Sequence, residues 1–187
     1  MTAAIAALIV SVFSPIGSMI LERFARSKWP RLDRSTPMGR LSDEESGAIA
    51  ALIAVLVDGD PAFLRDHVAR RTSTEPGYLK EYQSGARLLN ASARRGGGGK
   101  RFAELDRAEQ NRILESILWK YSAEDKGRIL LERLFVSRER LAFREFVVRD
   151  ILKAYYRSGP GWAVVGYAKY PGIPAKDPLE YTRPVEP

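Results

Sequence analysis

The sequence predicts an all-α protein, a compact helical bundle, and three observations lead there. Apolar residues recur at three- and four-residue spacing through most of residues 41–157. Helix-opening patterns stand in front of those stripes. No stretch alternates apolar and polar side chains as a half-buried strand would, and no internal repeat is present.

The chain begins with an uncharged segment, Thr2 to Leu21. About 20 apolar residues can cross a bilayer as a helix. Ser11, Ser14, Pro15, Gly17 and Ser18 interrupt its second half, however, and Pro15 removes a helix hydrogen bond. The stronger run, Ala3 to Phe13, has the length of the apolar part of an export leader but lacks a basic residue before it and a clear cleavage site after it. Three readings stand: a membrane anchor through residues 3–21, a leader remnant, or an apolar helix packed on a partner. Six basic and two acidic residues fall within residues 1–40, so this segment carries +4 of the net +7, and residues 41–187 carry only +3. Such a flank contacts anionic lipid or sets topology, and beside a spanning helix it favours a cytoplasmic side for the rest of the chain. The chain therefore divides into an apolar segment with a basic flank, 1–40, and a helical domain with a C-terminal tail, 41–187.

Within the domain, Ser42 and Glu45 form a capping box ahead of a face made by Ile49, Leu52, Ile53, Leu56 and Val57, which Asp58-Gly59 ends. Asp60-Pro61 restarts the chain as N-cap and first-turn proline, with Phe63, Leu64, His67 and Val68 on one face. A third helix follows Pro76-Gly77 with the stripe Leu79, Tyr82, Ala86 and Leu89, and Gly96 to Gly99 breaks it. Asp106 with Glu109 opens the next, whose face is Ile113, Leu114, Ile117, Leu118 and Tyr121. Ser122 with Asp125 starts another, and a helical stretch with a break near Val136-Ser137 runs to Arg157. Leu141, Phe143, Phe146, Val147, Ile151, Leu152 and Tyr155 are too many for one narrow stripe, which predicts a central helix there. Ser158-Gly159-Pro160 terminates it. Residues 158–187 hold six of the 11 prolines beside Trp162, Tyr167, Tyr170 and Tyr181, a composition expected to be irregular and to wrap over a surface, the chain's own or a partner's.

Little in this chain points to catalysis. Without cysteine there is no disulfide, thiolate metal site or covalent c-type haem attachment, and with one histidine there is no multi-histidine metal site. Gly96-Gly97-Gly98-Gly99-Lys100 fails as a phosphate loop, because Arg94 stands where glycine and Arg101 where Ser or Thr is needed. His67 reads as a packed or capping residue, with axial haem ligation as the alternative. Glu44/Glu45, Asp58/Asp60 and Glu124/Asp125 lie at helix starts and turns, where capping explains them. Arg138, Arg140, Arg144 and Arg149 alternate with Glu139 and Glu145 as a solvated face with i,i+4 pairing. The chain alone is not expected to be an enzyme or to bind nucleic acid.

Leu41-Ser42-Asp43-Glu44-Glu45, the run Phe102 to Gln110, and Tyr155-Tyr156-Arg157-Ser158-Gly159-Pro160-Gly161-Trp162 with Gly166-Tyr167 and Pro171-Gly172 together resemble the gluconate 2-dehydrogenase subunit 3 family over residues 41–181. The resemblance implies an accessory, chaperone-like small subunit without a cofactor of its own. Its partner would be an FAD-dependent large subunit of the glucose–methanol–choline type that oxidises sugars or sugar acids, and a cytochrome c subunit with haem c can complete the complex. It also implies membrane association on the periplasmic face. One departure stands out: no Arg-Arg pair precedes the apolar run, as a twin-arginine leader would require. An anchor with its C-terminal side in the cytoplasm would put an export role in doubt. The interface candidates are Tyr155, Tyr156, Trp162, Gly166, Tyr167 and Tyr170, since aromatics with a polar tip dominate such patches. The competing reading is a membrane-anchored basic helical protein that binds lipid or nucleic acid and has no enzymatic partner.

Overall fold

The computed structural model describes residues 30–59, 61–96, 98–118 and 137–164. Among them the chain is an all-α compact bundle with no strand. The apolar segment 3–21, the helix start at Ser122, and Gly166, Tyr167 and Tyr170 lie outside the described residues.

Helix α1 spans Asp43–Val57. Its capping box is complete: the Ser42 hydroxyl accepts from the Glu45 N–H at 3.3 Å, and the Glu45 carboxylate accepts from the Ser42 N–H at 3.0 Å. Three acids, Asp43, Glu44 and Glu45, sit in the first turn, where the helix dipole favours them. The other end is closed by Asp58 itself in the left-handed region, φ 52°, rather than by the glycine after it. No basic residue lies in α1's last turn; Arg107 supplies one, bonding the carbonyls of Ala54 and Val55 and the Asp58 carboxylate.

Helix α2 spans Ala62–Thr74. Pro61 is its N-cap, not its first helical residue as expected, because its carbonyl already accepts from the Leu64 N–H at 3.0 Å. Helix α3, Tyr78–Gly96, packs against α1, α2 and α4 and against the C-terminal helical rod. Residues 30–42 lie along the body, joined to it by the Gly39 N–H on the Thr72 carbonyl at 3.0 Å and by Lys80 on Asp33. A 3-10 turn at Phe102–Glu104 inserts the fully buried Phe102. Buried Asn90 accepts from the Phe102 N–H at 3.1 Å, and Gln110 donates to the Phe102 carbonyl at 3.0 Å, so both polar groups of that buried backbone are satisfied. Helix α4, Arg107–Leu118, opens with the expected Asp106–Glu109 box.

From Arg138 to Tyr155 the chain is one uninterrupted rod: α5 (Arg138–Ala142), a π-helical turn (Phe143–Val148) and α6 (Arg149–Tyr155). It starts at Ser137, whose hydroxyl caps the Arg140 N–H, matching the expected break. Leu141, Phe143, Val147 and Ile151 are buried while Phe146, Leu152 and Tyr155 are half-buried, so the rod shares the centre of the bundle with α3. The two come close because α3 offers Gly85 where they cross: a β-carbon there would stand 2.8 Å from Phe143 Cδ2.

The sequence expectation fails just beyond the rod. Ser158-Gly159-Pro160 ends α6 but also starts a short helix, α7 (Gly159–Val164), where irregular chain was expected. The proline lies in the first turn, where no intrahelical N–H is required, and the Ser158 carbonyl accepts from the Trp162 N–H at 3.1 Å.

Candidate functional site: a cleft over a buried ion network

Helix α2 carries Phe63, His67 and Arg71 at i, i+4 and i+8, which puts them on one face. That face meets α6 across an open cleft of about 900 Å³. Asp150 projects from α6 to the cleft floor and is only 7% exposed. A buried carboxylate is costly unless its oxygens are satisfied, and here both are. His67 Nε2 lies 3.0 Å from Asp150 Oδ2, and the Tyr82 hydroxyl donates to the same oxygen at 2.9 Å. Arg71 NH2 reaches Oδ1 at 3.1 Å. A carboxylate only accepts, so His67 donates through Nε2.

Arg71 holds the network together. Its guanidinium also pairs with Glu75, donates to the Tyr78 hydroxyl at 2.9 Å, and stacks over the Tyr78 ring with its carbon 4.2 Å from the centroid. Arg71 Nε is buried with no hydrogen-bond partner in the described structure. Burial by itself would raise the Asp150 pKa, but the His67 hydrogen bond, the charges of His67 and Arg71 and the Tyr82 hydroxyl outweigh it and hold the carboxyl below its ordinary 3.8. Burial and the adjacent carboxylate push the Tyr82 hydroxyl well above 10, so it stays a proton donor to Asp150.

Of these groups, sequence reasoning singled out only His67, as a packed or capping residue; the structure makes it the hydrogen-bond partner of a carboxylate 83 residues away. Tyr82 was expected only as a core residue, and Asp150, Arg71 and Tyr78 were missed. A trace of Asp150 was available: it stands three residues after Val147 and seven after Phe143, a charge on an otherwise apolar helical face. Glu145 pairs with Arg149 at i,i+4, as expected for that solvated face. Among the described residues no group of three or more His, Asp or Glu side chains is placed to hold a metal ion.

Of the expected interface residues, the described ones, Tyr155, Tyr156 and Trp162, lie together at the far end of the rod. Tyr155 is half-buried against the core and meets Tyr156 edge-on at 5.4 Å between ring centroids. Tyr156 is 46% exposed, Val164 67%. Trp162 donates its indole N–H to the Tyr156 carbonyl at 3.0 Å, so its ring is fixed beside Tyr156. No described helix is long and apolar enough to cross a membrane. Compared with profiles of known protein families, with curated proteins and with solved structures, the chain matches none.

Proposed function

We propose that the chain is a non-catalytic small subunit of an FAD-dependent, glucose–methanol–choline-type dehydrogenase complex acting on sugars or sugar acids. It binds the flavoprotein large subunit at the membrane, on the periplasmic face, and stabilises its folded, FAD-loaded form by mass action during maturation and export. A cytochrome c subunit completes the complex as electron acceptor.

One observation carries the reading beyond the sequence resemblance. The aromatic end of the rod presents Tyr156 and Val164 to solvent beside an indole held in place by a hydrogen bond, an arrangement suited to a protein interface. Tyr155 is the weaker interface candidate because it already packs on the core.

The test is co-expression with the flavoprotein encoded beside this chain, purification through a tag on this chain, and the flavin absorbance of the eluate. A yellow complex that reduces a dye when given sugars is expected; a colourless eluate refutes the proposal. Trp162→Ala should weaken the complex at least about tenfold while leaving helix content intact. Co-purification unaffected by the substitution would remove the aromatic end from the interface.

A further inference from the structure

The cleft over Asp150 carries an uneven set of charges. Its buried acid is paired with Arg71 and hydrogen-bonded to His67, and Glu145 on its wall is paired with Arg149. Three further cations line it, Arg70, Lys153 and Arg157, all exposed and with no ion pair among the described residues. Against them stands one lining carboxylate without a cation among the described residues, Asp66. The cations come from two facing surfaces, Arg70 from α2, and Lys153 from α6 with Arg157 from the turn that follows it. Half-buried Phe63 and Phe146 supply apolar wall between them. The volume, about 900 Å³, suits a small organic molecule.

We infer that this cleft is a binding site for a small organic anion, a carboxylate or phosphate ester on an apolar body. Arg70, Lys153 and Arg157 hold the anionic oxygens, and Phe63 and Phe146 hold the body. Three cations drawn together by the fold repel one another, and a bound anion relieves that repulsion while gaining charge-assisted hydrogen bonds. The buried Arg71–Asp150–His67 network sets the floor and keeps α2 and α6 at a fixed separation, so the cationic rim is formed before the ligand arrives. The site belongs to this chain alone and is independent of the subunit proposal.

Isothermal titration calorimetry on the full chain at fixed ionic strength tests it, with phenyl phosphate, phenylacetate and inorganic phosphate as probes. At least one aromatic anion is expected to bind with a Kd below about 1 mM, and phenyl phosphate at least about fivefold more tightly than inorganic phosphate. Which aromatic anion binds better identifies the ligand as phosphate or carboxylate. Arg70→Gln with Arg157→Gln should raise that Kd at least about tenfold. Arg95→Gln, about 26 Å along α3 from its Tyr78 end, should leave it unchanged. Both altered rim residues are exposed, so the double variant is expected to fold, which its circular dichroism checks. No saturable binding up to about 10 mM, equal affinity for phenyl and inorganic phosphate, or equal affinity in the double variant would each overturn the inference.

Discussion

Asp150→Asn keeps the size and shape of the side chain and removes its charge. In the folded protein, Oδ1 meets Arg71 at 3.1 Å and Oδ2 accepts from His67 and Tyr82 at 3.0 and 2.9 Å. An asparagine has one acceptor and one donor where aspartate has two acceptors, so it can accept on the Arg71 side or on the His67–Tyr82 side but not on both. With the amide nitrogen toward Arg71 two donors face each other, and with it toward His67 and Tyr82 both of those groups must reverse their hydrogen bonds, in a site that is 7% exposed. Removing one member of a buried pair typically costs about 3–5 kcal/mol. Here the loss is smaller, because Arg71 keeps Glu75 and its side chain is 27% exposed, so water recovers part of its solvation. About 2–3 kcal/mol is the expected destabilisation, or roughly 5–10 °C in Tm for a chain of this size.

Urea unfolding at neutral pH, followed by far-UV circular dichroism, measures it, and a loss under about 1 kcal/mol would refute the account of the network. The pH dependence gives a second check. The Asp150 pKa is lowered on folding, so its contribution is complete above the unfolded value of 3.8 and is lost as pH falls through the folded value. The stability gap between wild type and variant should therefore be constant near neutrality and narrow below pH 3.8. A gap that widened on acidification would contradict the assigned sign.

Four further substitutions probe the packing that positions the cleft and the aromatic end. Asn90→Ala leaves the buried Phe102 N–H without its acceptor and should cost about 1–3 kcal/mol in urea unfolding. Gly85→Ala places a β-carbon 2.8 Å from the buried Phe143 ring, and the overpacking should exceed the helix-propensity gain, a net loss of about 1 kcal/mol; Gly47→Ala, with nothing within 4 Å, should instead stabilise the same fold. Gly161→Ala drives a β-carbon into the Tyr155 carbonyl oxygen, which is backbone and cannot yield, so α7 should be displaced and Trp162 fluorescence should shift to longer wavelength. An unchanged emission maximum would show that the turn adapts.

The helices were legible because their ends are local chemistry. Ser42 with Glu45 and Asp106 with Glu109 each satisfy backbone donors three residues away, so spacing along the chain is sufficient to recognise them. The stripe Leu79, Tyr82, Ala86 and Leu89 is buried as its periodicity predicts. Where two local rules compete, the sequence decided less. Pro160 reads as a helix stop, yet it opens α7, because a proline ends one helix and begins another by the same lack of an N–H. At α1's end, Asp58 and not Gly59 takes the left-handed conformation.

The candidate site was hardly legible at all, and the reason is distance. His67 and Asp150 are 83 residues apart, and Tyr82 and Asp150 are 68. Their meeting depends on how α2, α3 and α6 dock, a sum over many weak apolar contacts that no short window of sequence contains. The same docking turns Asp150 from a surface acid of a charged rod into a buried acceptor, and gathers Arg70, Lys153 and Arg157 around one cleft. The sequence by itself determined an all-α chain, most of its helix boundaries and the apolar faces, because these arise from hydrogen bonds and periodicity within a few residues. Only the tertiary structure decided which charges are paired and which line the cleft among the described residues, because electrostatic partners are set by proximity in space and by the burial that makes their pairing matter.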